Sequence, residues 1–360
     1  MSGEGAGGVV RVGYWVTKKR FEKINFQRFE ELCREAGVQL VEIDLRGDLE
    51  SQGPFAAVIH RVSDLISQKK AGDEVAAALL KKFRNYMYAH PSTLLLDPFS
   101  SVRKLSHRFK MCVFIRKKIA FEDVQVPPFV HVTEPRELEK MRRKVRQGGL
   151  AYPLIAKPVL AHDHNLLLIL SEAGLPKAAQ LLQPPLLLQT YIPHDGVLYK
   201  INVIGKEYSW LSRPSLKNLS SGDEAAMGAS SIPFHTHQIS KPGCRTALNP
   251  QPHAGAGAGG KQRPREDAIR GIVKRLHRQL ALSLFGVDLI LERGTGRHYI
   301  IDINYFPGFE GVDLVPEKLR DLTLGKLEEA RQKQRKARPQ QQQAAVSQPL
   351  STASEITEQD

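Results

Sequence analysis

The chain has 360 residues, 41% of them hydrophobic and 25% charged, an ordinary globular composition that excludes a fibre or a wholly disordered chain. Its formal net charge is +14, and a Gly/Ala/Pro-rich stretch and the polar C-terminus hold only about five of those charges, so the folded remainder itself attracts anions. No apolar run approaches bilayer length, and Cys33, Cys112 and Cys244 lack metal-ligand spacing. A cytoplasmic monomer in a reducing compartment, without membrane contact, is expected.

Residues 1–8 are small and read as a flexible start. Strand and helix then alternate. Val9 to Val16 reads as a strand, and Asn25 reads as the cap of a helix with Phe26, Phe29, Leu32, Cys33 and Ala36 on its apolar face. Gly37 ends that helix. Leu40 to Leu45, Ala57 to His60 and Thr93 to Leu96 read as further strands, with a helix over Glu74 to Ala89. The alternation implies a parallel sheet covered by helices, an α/β domain over 9–108.

From 109 to 325 the character changes to α+β. Lys104 to Glu122 reads as one basic helix and Pro135 to Gln147 as a charged one. Apolar strands follow at Pro153 to Val159, Leu166 to Leu170, Leu186 to Tyr191, Leu198 to Ile204 and Tyr208 to Leu211, largely antiparallel. Segment 241–262 reads as a flexible insertion, and 326–360 as a disordered polar tail. A helix from Glu266 to Leu284 leads into a last hairpin.

That hairpin carries the strongest chemical signal. Phe285 to Leu291 is apolar except for Asp288, and Tyr299 to Asn304 is apolar around Asp302. Thr295, in Gly294-Thr295-Gly296, is midway between the two carboxylates, so a symmetric hairpin sets Asp288 opposite Asp302 at about 4.5–5.5 Å between Cβ atoms. Asn304 lies two residues on and shares their face. Such oxygen donors suit a hard cation such as magnesium. A solvent-facing polar stripe is the plainer alternative, and Ile300, Ile301 and Ile303 around Asp302 argue against it.

Lys157 and Lys200 each interrupt an apolar strand, and a buried lysine needs an anionic partner such as nucleotide phosphate. A strand-edge lysine reaching water is the alternative for either one alone. Leu186 to Ile192 leaves the core into the turn Pro193-His194-Asp195-Gly196 and can offer backbone groups to a purine edge. Arg213-Pro214-Ser215-Leu216-Lys217-Asn218 is a basic loop suited to phosphate oxygens, or a plain solvated turn.

Together, Asp302-Ile303-Asn304-Tyr305-Phe306-Pro307-Gly308 with Asp288, the loop Arg213 to Asn218, Val12-Gly13-Tyr14-Trp15 and Val197-Leu198-Tyr199-Lys200 resemble the inositol-tetrakisphosphate 1-kinase (inositol trisphosphate 5/6-kinase) family, from about Val9 to Leu322. The resemblance implies an ATP-grasp fold of two small antiparallel sheets behind the parallel domain. It implies ATP as co-substrate and inositol polyphosphates as acceptors. It places ATP at Arg108, Lys157, Gln189, Ile192, Lys200, Ser215, Thr236 and Ser240, and two magnesium ions at Asp288, Asp302 and Asn304. Inositol phosphate falls to Arg20, His164, Lys200, Arg213, Asn304 and Gly308, and the transfer itself to Lys157, Lys200 and Asp302.

Two departures stand out. The family usually has lysine where Arg20 stands. Its glycine-bearing loop between two histidines is cut here to Ala161-His162-Asp163-His164-Asn165, and Asp163 adds negative charge, so a slow enzyme with poor ATP affinity is expected. An ATP-grasp carboxylate–amine ligase is the nearest rival, although such ligases usually carry Glu-x-Asn where Asp302-Ile303-Asn304 stands. A degenerate protein that only binds inositol phosphate is a second rival. Nucleic acid is not expected, because no basic–aromatic platform is present.

Overall fold

The computed structural model describes residues 9–134, 138–160, 164–182, 184–241, 243, 246–250 and 262–346. Four short strands open it: β1 (Val10–Trp15), β2 (Val38–Glu42), β3 (Ala57–His60) and β4 (Leu94–Leu96). They pair in parallel in the order β2-β1-β3-β4. Helix Phe26–Glu35 covers this sheet with Phe26, Phe29, Leu32 and Cys33, four of the five residues its spacing predicts; Ala36 lies past the helix end and is exposed. Asn25 precedes the helix in a left-handed conformation (φ 51°) and makes no side-chain cap, so its expected capping role is not realised.

Among the described residues ten strands follow: β5 (Val124–Gln125), β6 (Phe129–Val132), β7 (Leu154–Pro158), β8 (Asn165–Ile169), β9 (Leu186–Thr190), β10 (Val197–Ile204), β11 (Glu207–Pro214), β12 (Ser231–His235), β13 (Leu284–Leu291) and β14 (His298–Tyr305). One antiparallel sheet runs β12-β8-β7-β9-β6. The other runs β11-β10-β13-β14-β5, antiparallel except for the short β14–β5 pair.

Several expectations change. The single basic helix over 104–122 is three pieces: Phe99–Leu105, Arg108–Phe114 and a wider turn at Ile115–Ile119. The chain breaks at Ser106-His107 to dock on the end of β7, where the Arg108 amide donates to Val159 O at 2.8 Å. Helix Glu266–Leu280 stops short of Leu284, because Ala281 turns left-handed and Leu284 already belongs to β13. Within the expected flexible insertion, Leu248 and Asn249 are buried, and the Asn249 amide donates to Ser215 O and Ile239 O. Residues 242, 244–245 and 251–261 of it lie outside the described residues. In place of a disordered tail from 326, helix Val315–Val346 continues well beyond that point, and 347–360 lie outside the described residues. Among the described residues, no helix is long and apolar enough to cross a membrane.

Candidate active site

The floor of the site is one face of the β10-β13-β14 sheet. Leu198, Lys200 and Asn202 alternate along β10, Gly286, Asp288 and Ile290 along β13, and Asp302 and Asn304 along β14. Their intervening neighbours Tyr199, Ile201, Val203, Phe285, Val287 and Leu289 face the core. Cross-strand register sets Lys200 opposite Asp288 and Asp288 opposite Asp302, with Gly286 opposite Asn304. The facing of the two aspartates needs an irregularity between Asp288 and Leu289: Leu289 pairs with Ile300, so Ile301 is an extra residue.

Two polar groups converge on Asp288. Lys200 Nζ donates to its Oδ1 at 2.9 Å and Oδ2 at 3.2 Å, and Asn304 Nδ2 reaches Oδ2 at 3.5 Å. Burial pulls the Lys200 ammonium down, but Asp288 outweighs it and holds Lys200 above its ordinary value. Burial, with the Asp302 charge adding to it, pushes the Asp288 carboxyl up against the pull of Lys200.

The roof is the other antiparallel sheet, with Ile155 and Lys157 of β7, Leu166 of β8, and Gln189 of β9. Lys157 Nζ donates to Gln189 Oε1 at 2.7 Å, and burial draws its ammonium below the usual lysine range. Arg108 donates to Pro158 O at 2.7 Å and Leu160 O at 2.9 Å. At the strand exit, His194 Nδ1 donates to Ile192 O at 2.6 Å, which leaves Nε2 to accept from Ser215 Oγ at 2.7 Å. Burial keeps this imidazole neutral by lowering its pKa. Thr236 Oγ1 lies 3.2 Å from His164 Nδ1, and Ser240 Oγ donates to Thr236 O at 3.0 Å.

The third wall comes from the parallel-sheet domain, where Arg20, Lys19 and Lys23 of helix Lys18–Lys23 and Arg61 after β3 line the cavity. Burial, and then Arg61, lower the Arg20 guanidinium to about 10. Gly308 passes directly against it: a Cβ there would lie 2.8 Å from Arg20 Nη1 and 2.6 Å from Lys23 Cε. Arg213 reaches the same corner from β11.

All fifteen residues singled out from the sequence line this one cavity of about 740 Å³. Ala161, His162 and Asp163 of the short loop lie outside the described residues. Sequence reasoning missed Lys23, Arg61, His237, Lys241 and Glu310, which line the cavity too. Arg61 was findable, since it directly follows β3 and ligands gather at the carboxyl ends of parallel strands. The Lys23–Glu310 contact spans 287 residues and has no local signal.

Against known families, residues 11–102 match the inositol 1,3,4-trisphosphate 5/6-kinase pre-ATP-grasp domain, and residues 119–324 match the ATP-grasp domain of the same family. The chain belongs to the inositol 1,3,4-trisphosphate 5/6-kinase family. It is therefore a phosphotransferase on the ATP-grasp fold, with the domain order expected from its sequence. It is 38% identical to inositol-tetrakisphosphate 1-kinase of Xenopus laevis and 37% identical to that of Danio rerio, each over 87% of this chain and 77% of the relative. Inositol-tetrakisphosphate 1-kinase 3 of Oryza sativa subsp. indica is 31% identical over 83% of this chain and 77% of its own.

Among solved structures, D-cycloserine synthetase DcsG superposes with a TM-score of 0.58 at 14% identity, over 88% of this chain and 99% of its own. The ATP-grasp ligase PsnB gives 0.55 at 14%, over the same shares. These two establish the fold alone.

Proposed function

We propose that the protein transfers the γ-phosphoryl group of ATP to a ring hydroxyl of inositol tris- and tetrakisphosphates, with magnesium. The observation that carries this reading is the meeting of an acidic rung, a half-buried lysine and a cationic wall in one cavity. Asp288, Asp302 and Asn304 supply the rung, Lys157 faces it from the roof, and Arg20, Lys23, Arg61 and Arg213 line the wall. That wall suits a ligand with several phosphates far better than the single carboxylate or amine of a ligase substrate.

The donor set fits magnesium, being two opposed carboxylates and an amide oxygen. Asp288, Asp302 and Asn304 would hold it, and when bound it supplies neutralisation of charge on the terminal phosphates. The chain's own contribution is positioning. Lys157, held by Gln189, and Lys200, held by Asp288, present fixed positive charge where negative charge develops. Ser215, Thr236, Ser240, Ile192, Gln189 and Arg108 frame the nucleotide side, and His164, Arg20, Arg213, Asn304 and Gly308 the inositol side. Phosphoryl transfer between aligned oxygens needs no covalent enzyme intermediate.

The test is turnover by the purified full chain with ATP and magnesium, on inositol 1,3,4-trisphosphate and inositol 3,4,5,6-tetrakisphosphate, products being separated by anion exchange. New phosphate esters on either acceptor are expected. Tight inositol phosphate binding without turnover would replace the kinase with a binding protein.

A further inference from the structure

Glu310 is an acid set into the cationic wall of the cavity. It sits in the loop after β14, between Phe309 and Gly311, both at positive φ. Its two oxygens engage different cations: Oε1 pairs with Lys23 Nζ of helix Lys18–Lys23, and Oε2 lies 3.3 Å from Arg213 Nη2 of β11. The Glu310 side chain is 53% exposed while that of Arg213 is 14% exposed. The carboxylate can therefore swing into water, and the guanidinium cannot.

Arg20 lies at the same corner. Its Nε and Nη1 atoms are buried with no hydrogen-bond partner, and Gly308 backs the guanidinium closely. The neighbouring Arg61 is partly satisfied, because Asp64 takes its Nη1 at 3.1 Å and its Nε alone is buried without a partner. Three cations thus surround one carboxylate, and donor hydrogens remain unused. A phosphate monoester brings three acceptor oxygens and nearly twice the charge of a carboxylate. It would satisfy Lys23, Arg213 and Arg20 together, which Glu310 does not.

We propose that Lys23, Arg213 and Arg20 form a subsite for one ring phosphate of the acceptor, and that Glu310 is its internal counter-ion, displaced when that phosphate arrives. This assignment rests on the inositol polyphosphate reading above. It makes Glu310 a specificity-determining residue. A ring without a phosphate at this corner must bind with the Lys23–Glu310–Arg213 contacts intact and so gains nothing there. An acceptor ring that carries a phosphate at this corner exchanges a single carboxylate for a stronger anion. Stray inorganic phosphate faces the same internal competitor.

The experiment uses the full chain carrying Glu310→Gln and reads inorganic phosphate binding by calorimetry without nucleotide. Affinity should rise at least about tenfold over the native protein, because a neutral amide competes poorly for the two cations. Adding Lys23→Met should remove that gain. In turnover, Glu310→Gln should widen the ratio of KM values between inositol bisphosphate and inositol tetrakisphosphate, because only a ring that places a phosphate at this corner gains from the loss of its competitor. Unchanged or weaker phosphate binding by folded Glu310→Gln would overturn the proposal, as would a gain that survives Lys23→Met. Should Glu310→Gln not fold, Glu310→Asp, whose shorter arm reaches fewer cations, should show a smaller gain, and no gain at all counts equally against it. Because phosphate binding is read without ATP, the proposal and the kinase reading can fail separately.

Discussion

At the scale of single residues, Asp288 and Asp302 face each other yet live differently. Asp288 is tied to Lys200 and touched by Asn304, whereas Asp302 accepts its own neighbour's Ile303 amide at 3.0 Å. The Asp302 charge adds to the electrostatic cost of ionising the buried Asp288. Replacing Asp302 with alanine should therefore separate function from stability. Turnover should fall by about a thousandfold, the scale for losing a fixed electrostatic group at a reacting phosphate. The thermal midpoint in metal-free buffer should hold steady or rise, since repulsion on Asp288 is relieved. Steady-state kinetics and a melting curve check both halves. Retained turnover would count against the metal role, and a collapsed midpoint would make Asp302 a structural residue.

Among the elements, helix Val315–Val346 divides into a packed half and a solvated half. Val315, Leu319, Thr323 and Leu327 recur at helical spacing and are buried, while Arg331, Gln332, Lys333, Arg335 and Lys336 are exposed. Leu319→Ala should cost about 3 kcal/mol by leaving a cavity in the main core. A chain cut after Lys336 should instead unfold at the native midpoint and keep its specificity constant within threefold. Denaturant titration and kinetics decide. The tail composition alone hid this boundary, because Leu322, Leu324 and Leu327 are sparse among charges and the packing partner, helix Phe26–Glu35, is almost 300 residues away. The hairpin was legible for the opposite reason. Both carboxylates sit in local apolar strands with a glycine turn between them, so counting from Thr295 recovers the Asp288–Asp302 pairing. The count cannot reveal the extra residue at Ile301, because Ile300, Ile301 and Ile303 are equally apolar and the pattern does not mark which one goes unpaired. Strand β12 was missed because Ser231 to His235 has weak alternation and is held by pairing with β8. The cationic wall was half legible: Arg213 stood in a motif and Arg20 came with the family resemblance, but Lys23 and Glu310 meet only once three separate chain segments are folded together.

For the whole molecule, the parallel domain and the ATP-grasp domain are joined by a buried polar knot. Asp97, at the end of β4, accepts the amides of Ser283 at 2.8 Å and Leu284 at 2.9 Å, at the start of β13. His60 Nε2 donates to Asp97 O at 2.7 Å, and Tyr305 of β14 donates its hydroxyl to His60 O at 2.7 Å. Burial pushes Asp97 up from 3.8 to about 6 and draws His60 down from 6.5 to about 4. The two shifts oppose each other in pH. Asp97 binds its proton more tightly when folded, so its contribution grows as pH falls from about 6 towards 3.8. His60 must be neutral when folded, so its contribution is complete above 6.5 and is lost as pH falls to about 4. Each shift corresponds to about 3 kcal/mol, and between pH 6 and 4 the two largely cancel. The native domain junction should consequently show little pH dependence from this knot. Asp97→Asn removes one side of the balance: whatever its baseline stability, it should lose about 3 kcal/mol more than the native protein between pH 6.5 and 4. His60→Gln should do the reverse and gain stability, relative to native, over the same fall in pH. Unfolding free energies at half-unit pH steps, compared as slopes and not as absolute values, separate the titration from the packing damage either substitution causes. If both variants follow the native slope, neither group titrates within the knot, and the junction is held by its hydrogen bonds alone.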